Sequence, residues 1–264
     1  MRRVTHNEAG DTDLVFVLGW GIRLDFENVR WLVDRLAAAD YRVHVFELPL
    51  VITDFEREYL APVANFVSSL SNYRLLTHST GGLVGAFLDS PETRVDLSPW
   101  WGTHKAVRTP LVSPFLRLPV TKPLVPVGID RSDLGDLATD FQVEDTPERI
   151  APTVLRECRR VQQQLPPFDE DSVVFYTPDD TVVSVDAIRG VRRRRTASPT
   201  RAATNCSPRP PATSCCRRCS PPSTTASARS PDGSRLVGHV AVLTWTTFST
   251  VAYTSPAASV RSMV

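Results

Sequence analysis

Residues 73–88 read YRLLTHSTGGLVGAFL, and this stretch decides the fold. Its first five residues are a short, mostly apolar run that predicts a buried β-strand. From Gly81 to Leu88 the residues are small and apolar, which predicts a buried helix. Between the two lies Ser79, in a turn that the small residues Gly81 and Gly82 allow to close. A serine on so sharp a turn is expected to adopt strained backbone, which raises its hydroxyl above the end of the sheet.

Strands and helices alternate on both sides of this stretch. The predicted strands span residues 14–18, 43–46, 73–77 and 94–97, and the predicted helices span residues 26–39, 54–70 and 81–88. Asp54 is the expected N-cap of the second helix. This alternation predicts an α/β fold with a doubly wound, mainly parallel sheet.

The alternation stops from Trp100 to Pro167, where prolines are frequent. One helix is expected there, over about residues 147–164 after the cap signal Asp145-Thr146. In a doubly wound sheet such an insertion lies beyond the carboxyl ends of the strands, over the ligand crevice. The sheet resumes at residues 172–176. We therefore predict a core of residues 1–190 with a cap at about 100–167. The cap residues expected to line an apolar pocket are Trp100, Trp101, Phe115, Leu116 and Leu118.

The hexapeptide Thr77-His78-Ser79-Thr80-Gly81-Gly82 resembles the nucleophile elbow of the α/β-hydrolase family, written G-x-S-x-G. The resemblance implies that Ser79 is the nucleophile of a serine hydrolase. It also makes His78 a packing or oxyanion-side group. The sequence departs from the family pattern at Thr77, which stands where the family has glycine. The plainer alternative is an ordinary turn between a strand and a helix.

A second motif, Leu18-Gly19-Trp20-Gly21, follows the first clear strand and resembles the family's H-G-x-G loop. That loop and the residue after the nucleophile supply the backbone N–H groups of the oxyanion hole. By this resemblance the donors are the amides of Trp20 and Thr80, with Gly19 and Gly21 in the same loop. The alternative is a glycine-rich strand end without a catalytic role.

A third motif, Thr177-Pro178-Asp179-Asp180-Thr181-Val182-Val183, follows the last predicted strand. It resembles the family's G-x-x-D-x-V-V segment, which implies that Asp180 is the acid that orients a catalytic histidine. Asp179 is the adjacent alternative, and a Pro-Asp turn with solvated carboxylates is the plain one. The three motifs occur in the family's order, serine before acid.

No histidine stands where the family has its base, shortly after the acid. His44 lies in the middle of a predicted strand. His6 and His104 precede the acid in the chain, and His239 follows it only after 59 residues. We assign none of them as the base, and His239 is an unlikely candidate. Because a serine hydroxyl needs a base to be activated, hydrolysis by this chain is expected to be weak or absent.

The composition changes after Gly190. Residues 191–264 contain 11 arginines and one acidic residue, Asp232, so this segment carries about +10 while residues 1–190 carry about −9. Up to about Ser230 the segment is rich in Pro, Ser, Thr and Ala and shows no strand or helix period, which predicts a disordered or poorly packed tail. The later apolar patch, Val237 to Val251, is either a strand or an unpaired apolar segment. We interpret the whole segment as an out-of-frame continuation that begins between Gly190 and Thr200. One off-frame reading of residues 202–217 restores a Gly-His loop followed by an amphipathic helix.

Two alternatives give this tail a role of its own. Four of the five cysteines (Cys206, Cys215, Cys216 and Cys219) lie in it, and the last two have the C-x-x-C spacing of zinc ligands. Cys206, however, has no close partner in the sequence. The basic run Arg192–Arg195 could contact nucleic acid, but it lacks interleaved aromatic residues.

The sequence as a whole predicts a carboxylic ester hydrolase, similar to esterases and lysophospholipases, that acts on a small ester or lipid-like substrate without a cofactor or metal. The alternative is a catalytically inactive protein of the same fold that binds a small apolar ligand. A net charge of +1 does not indicate a nucleic-acid partner. No apolar run reaches the ~18 residues of a membrane span, and no secretory signal is visible, so a cytoplasmic location is expected.

Overall fold

The structure is a computed structural model that describes residues 1–103, 119–128, 131, 138–167, 172–178, 180 and 182–190. For residues 191–196, 252–254 and 261–262 it describes the backbone. The strands of these residues are β1 (Arg2–His6), β2 (Thr12–Val17), β3 (Tyr41–Glu47), β4 (Arg74–His78), β5 (Thr93–Leu97), β6 (Val125–Pro126), β7 (Arg149–Ile150), β8 (Val173–Tyr176), β9 (Ala252–Thr254) and β10 (Arg261–Ser262). The helices are α1 (Glu27–Ala38), α2 (Ala61–Val67), α3 (Gly81–Gly85), α4 (Asp140–Asp145), α5 (Pro152–Gln162) and α6 (Val185–Thr196), and a π-helical turn, Glu56–Leu60, leads into α2.

The main sheet has the strand order β1-β3-β2-β4-β5-β8-β9-β10. The five strands from β3 to β8 in this order run parallel to one another. The strands on either side of this parallel block are antiparallel: β1 pairs with β3, β9 pairs with β8, and β10 pairs with β9 at the other edge of the sheet. The predicted doubly wound, mainly parallel sheet is therefore confirmed.

The chain reverses its direction of travel across the sheet between β2 and β4. From β2 it moves to β3 on one side, and then it crosses back to β4 on the other side. Ligands bind beside such a switch point, outside the carboxyl ends of the strands. The loops that begin at Leu18 and at Ser79 leave the two strands at this place.

Two hydrophobic clusters cover the two faces of the sheet. Val15 and Val17 of β2 belong to one cluster, whereas Leu14 and Phe16 belong to the other, together with Val33 of α1. All five are at most 2% exposed. A central parallel strand is buried on both faces, which explains the continuous apolar run in its sequence.

The predicted second helix is present, but it is divided. Asp54 accepts a hydrogen bond from the backbone N–H of Arg57 (2.9 Å), as a capping residue does. The chain then forms the π-helical turn before α2 begins at Ala61. Pro62, next in the chain, has no N–H to donate to the preceding turn, and such a position favours a local change of helical winding.

The helix predicted over residues 147–164 starts later, at Pro152. Arg149 and Ile150 instead form β7, which pairs with β6 in a separate two-stranded sheet. Proline is well suited to the first turn of a helix because it lacks the N–H that would remain unpaired there. The buried side of α5, which includes Val154 and Cys158, packs into one of the two main clusters.

The far end of the chain lies for the most part outside the described residues. That part includes the four cysteines of the alternative zinc site and His239. Where the backbone is described, α6 continues past Gly190 to Thr196, and β9 and β10 extend the sheet. In the part of the chain that is described, no helix is long and apolar enough to cross a membrane.

Candidate active site

Ser79 occupies the turn between β4 and α3. Its φ angle is +48°, in the left-handed region that non-glycine residues rarely adopt. Its N–H donates to the carbonyl oxygen of Leu97 (3.0 Å), and its own carbonyl accepts from Gly82 (2.9 Å) and Trp100 (2.9 Å). A conformation of this kind persists only where the surrounding structure holds it, and it is common at functional sites.

The loop after β2 lies against this turn. A Cβ atom placed on Gly19 would be 3.0 Å from Ser79 Cβ and 2.9 Å from His78 Nδ1. A larger residue at position 19 would therefore force His78 or Ser79 to shift. Trp20 is held in this loop by its indole N–H, which donates to the carbonyl oxygen of Leu50 (2.9 Å). Gly21 has a φ angle of +76°, which explains the glycine at that position.

The sequence motifs name the amides of Trp20 and Thr80 as the expected oxyanion donors. Thr80 is buried at the start of α3, and Trp20 is partly buried beside the core. Neither amide donates a hydrogen bond to another of the described residues.

The segment after β2 also contacts the cap. A Cβ atom on Gly21 would be 3.0 Å from Cδ of Pro147, and the rings of Phe26 and Phe141 pack edge to face with centroids 6.0 Å apart. Arg23 forms ion pairs with Asp25 and Asp145. The residues around Pro147 thus lie beside the carboxyl end of β2, on the side of the sheet where the crevice is expected.

Asp180 follows β8 at the same edge of the sheet as Ser79. Its Oδ1 accepts hydrogen bonds from the backbone N–H groups of Val182 (2.9 Å) and Val183 (2.7 Å). The carboxylate therefore also stabilises the turn that follows it. Because β4 and β8 are separated only by β5, the two residues follow strands about 10 Å apart. Asp179 and Thr181 lie outside the described residues.

The histidines of the described residues do not complete a triad. His44 is engaged within the sheet, where its ring nitrogens contact Thr5 Oγ1 (3.0 Å) and Asp13 Oδ1 (2.8 Å). His6 pairs with Val43, near the opposite end of the strands from Ser79. None of the histidine nitrogens of the described residues hydrogen-bonds to Ser79. His104 and His239 lie outside them.

Burial lowers the pKa of His78 from 6.5 to about 4. The unfolded chain therefore binds one more proton than the folded protein between about pH 6.5 and pH 4. This part of the stability is complete above pH 6.5 and is lost as the pH falls. We expect the urea midpoint to decrease from pH 7 to pH 4.5, and the variant His78→Gln to show a smaller decrease.

The carboxylates of Glu56 and Glu58 lose their stabilising effect at lower pH than His78 does. Hydrogen bonds from Arg160 and from the Thr53 backbone lower the pKa values of Glu56 and Glu58 below 4.5. Their contribution to stability is complete well above pH 4.5 and is lost mainly below it, as the pH falls toward their lowered pKa values. An equal slope between pH 7 and pH 4.5 in wild type and His78→Gln would contradict the assignment to His78.

Trp101 does not line the apolar pocket that the cap residues were expected to form. This side chain is 3% exposed, packs in the core and donates its indole N–H to the carbonyl oxygen of Gly82 (3.1 Å). Phe115, Leu116 and Leu118 lie outside the described residues. In the part that is described, no cluster of three or more histidine, cysteine or acidic side chains could hold a metal ion.

Sequence reasoning missed a buried polar cluster beneath Ser79, made of Thr77, Arg94 and Asp96. The Thr77 hydroxyl donates to Asp96 Oδ1 (2.5 Å), and Arg94 Nε donates to Asp96 Oδ2 (2.8 Å). The signal in the sequence was the pair of charged residues two positions apart in a short strand, together with a threonine at the glycine position of the motif.

Comparisons with known proteins support the fold. No protein-family model matches the sequence, and no curated protein matches it. The structure is similar to that of the monoacylglycerol lipase of Paleococcus ferrophilus (17% identity, TM-score 0.59, 72% of this chain and 82% of that chain). It is also similar to a soluble variant of monoglyceride lipase from Saccharomyces cerevisiae (13% identity, TM-score 0.56, 72% and 77%). A third match is a metagenome-derived lipolytic enzyme (12% identity, TM-score 0.52, 69% and 79%).

These neighbours and the strand order agree with the resemblance found in the sequence motifs. The chain therefore has the α/β-hydrolase fold. At identities of 12–17% the similarity concerns the fold, and the chemistry has to be argued from the site.

Proposed function

We propose that this site is derived from that of a serine hydrolase acting on carboxylic esters, with Ser79 as the nucleophile. The observation that carries the proposal is the backbone of Ser79, at φ +48° between β4 and α3, with the Gly19 loop against it. A serine in this backbone conformation would present its hydroxyl to the crevice at the switch point. The structural neighbours named as lipases support an ester substrate of the lipid class.

In this mechanism the hydroxyl oxygen of Ser79 attacks the ester carbonyl. The amides of Trp20 and Thr80 would donate hydrogen bonds to the oxyanion that forms. Asp180, across β5, would orient an imidazole and stabilise its charged form. The acyl-enzyme would then be hydrolysed by water, with release of the carboxylic acid.

The same proposal includes impaired catalysis, because the chain lacks a histidine shortly after Asp180. His78 remains neutral near pH 7 because burial lowers its pKa to about 4, but it forms no hydrogen bond with Ser79 among the described residues. Loss of a triad member typically lowers kcat by about 10⁴–10⁶-fold. We expect slow, base-independent acylation of Ser79 and little or no turnover.

The test uses a fluorophosphonate probe, which labels an activated serine, and a short-chain nitrophenyl ester. We expect slow labelling that the variant Ser79→Ala abolishes. Ser98→Ala is the matched control, because Ser98 follows the neighbouring strand β5 with a φ angle of +40°. It should label like the wild type. Labelling at a residue other than Ser79 would contradict the proposed nucleophile.

The variant Asp180→Asn tests whether the base is absent. Triad members act as a unit, so removal of the acid has little effect once the base is missing. We expect Asp180→Asn to label within about two-fold of the wild type. Rapid labelling of the wild type, together with a loss of about 10⁴-fold in Asp180→Asn, would show that a histidine such as His104 or His239 serves as the base.

A ligand-binding protein without turnover is the second candidate. It is favoured because no histidine of the described residues hydrogen-bonds to Ser79. It predicts that an ester analogue raises the melting temperature while the nitrophenyl ester is not hydrolysed, and that Ser79→Ala leaves this stabilisation unchanged.

The proposed change of reading frame in residues 191–264 can be tested in the DNA around codons 185–205. One inserted or deleted base there, relative to a related gene, would establish the change of frame.

A further inference from the structure

The polar cluster of Thr77, Arg94 and Asp96 lies directly below the Ser79 turn and is buried. The three residues are 0%, 8% and 0% exposed. Arg94 contacts Asp96 through two nitrogens, with Nε to Oδ2 at 2.8 Å and Nη2 to Oδ1 at 3.2 Å. Burial of two opposite charges is tolerated where the hydrogen bonds are nearly complete, and the Thr77 hydroxyl supplies a further one.

The cluster joins the strand before Ser79 to the helix after it. Thr77 and Asp96 are paired residues of the neighbouring strands β4 and β5. Arg94 Nη1 donates to the carbonyl oxygen of Gly85, the last residue of α3 (2.9 Å). A Cβ atom on Gly85 would be 2.7 Å from Thr77 Cγ2, so the helix end rests on the threonine methyl group.

Helix α3 has five residues and cannot be stable by itself. Its orientation depends on the groups that contact its ends. Trp101 donates its indole N–H to the Gly82 carbonyl oxygen (3.1 Å), and Arg94 lies 5.8 Å from the centroid of the Trp101 ring. Arg94 of the cluster therefore bonds the end of this short helix directly, and it contacts the Trp101 ring that bonds the beginning.

We propose that Thr77, Asp96 and Arg94 are positioning residues that hold Ser79 in its reactive backbone conformation. The inference rests on the proposed function of Ser79 as the nucleophile. A positive φ angle at serine is strained, and the contacts from below compensate for this strain. Thr77 thus has a specific role at the position where the family motif has glycine: its hydroxyl anchors the strand end to Asp96.

The test compares Thr77→Val with Thr77→Ser. Valine keeps the shape and the methyl group but removes the hydroxyl, whereas serine keeps the hydroxyl. Hydrogen exchange of the backbone amides of residues 79–83 reports the turn without any need for catalysis. We expect Thr77→Val to accelerate this exchange by about ten-fold and to slow the labelling of Ser79 by about ten-fold. Thr77→Ser keeps the hydrogen bond to Asp96 but loses the methyl contact with Gly85, so its effect on both measurements should be clearly smaller than that of Thr77→Val.

Val33→Ala is the control for general destabilisation, because Val33 is fully buried on α1 in the other core cluster. It should lower the melting temperature without a selective change in residues 79–83. Unchanged exchange in Thr77→Val would overturn the positioning role, and so would equal acceleration in Thr77→Val and Val33→Ala. If the wild-type Ser79 does not react with the probe at all, the serine hydrolase proposal fails, and the exchange data still decide the role of Thr77.

Discussion

Replacement of Gly81 by alanine is expected to lower the free energy of unfolding by about 3 kcal/mol or more. A Cβ atom at this position would lie 2.2 Å from the carbonyl oxygen of Val17 and 2.8 Å from that of Leu18. Both are backbone atoms at the end of β2, a strand that is paired on both sides. The strand cannot move away, so α3 and the Ser79 turn must shift instead. Urea denaturation measures the loss, and labelling of Ser79 should decrease with it.

Gly190→Ala is the matched control for this prediction. Gly190 is also helical, in α6, and an added Cβ atom would meet no atom of the described residues within 4 Å. Alanine is the better helix former, so we expect a gain of about 0.5–1 kcal/mol. If the Gly81→Ala protein were as stable as the wild type, α3 would not pack against β2 as closely as these distances require.

Asp96→Ala is expected to destabilise the protein by about 3–5 kcal/mol, because it leaves the buried guanidinium of Arg94 without its counter-charge. The Thr77 hydroxyl loses its acceptor in the same variant. Chemical denaturation of wild type and variant at the same pH measures the difference. Asp34→Ala, an exposed residue of α1, serves as the control and should change the stability by no more than about 0.5 kcal/mol.

The double variant Arg94→Met, Asp96→Leu separates the cost of an unpaired charge from the value of the pair. Apolar replacement of both partners of a buried ion pair is often neutral or stabilising. We therefore expect it to be more stable than Asp96→Ala alone. A double variant that is less stable than the single one would contradict this assignment and would indicate that the contact of Arg94 with the Gly85 carbonyl dominates.

The main architecture followed from local patterns. The apolar runs around Leu14 and Leu75 predicted buried parallel strands, and the structure has β2 and β4 there, paired with each other. The N-cap at Asp54 was also predicted correctly. Such features depend on residues close together in the chain, and their periodicity is visible in the sequence. The antiparallel edge strand β1 was not predicted, because its residues Arg2–His6 alternate little in hydrophobicity and obtain their partner only from β3.

The sequence by itself determined the doubly wound sheet, the order of the three motifs and the absence of a histidine shortly after Asp180. Only the tertiary structure decided which residues surround Ser79. Arg94 and Asp96 alternate with apolar neighbours, a pattern typical of a strand face in contact with solvent, yet both are buried. The register of β4 on β5 sets Thr77 opposite Asp96, and the packing of α3 on β2 requires glycine at position 81. Both depend on contacts between segments far apart in the chain, which no local periodicity encodes.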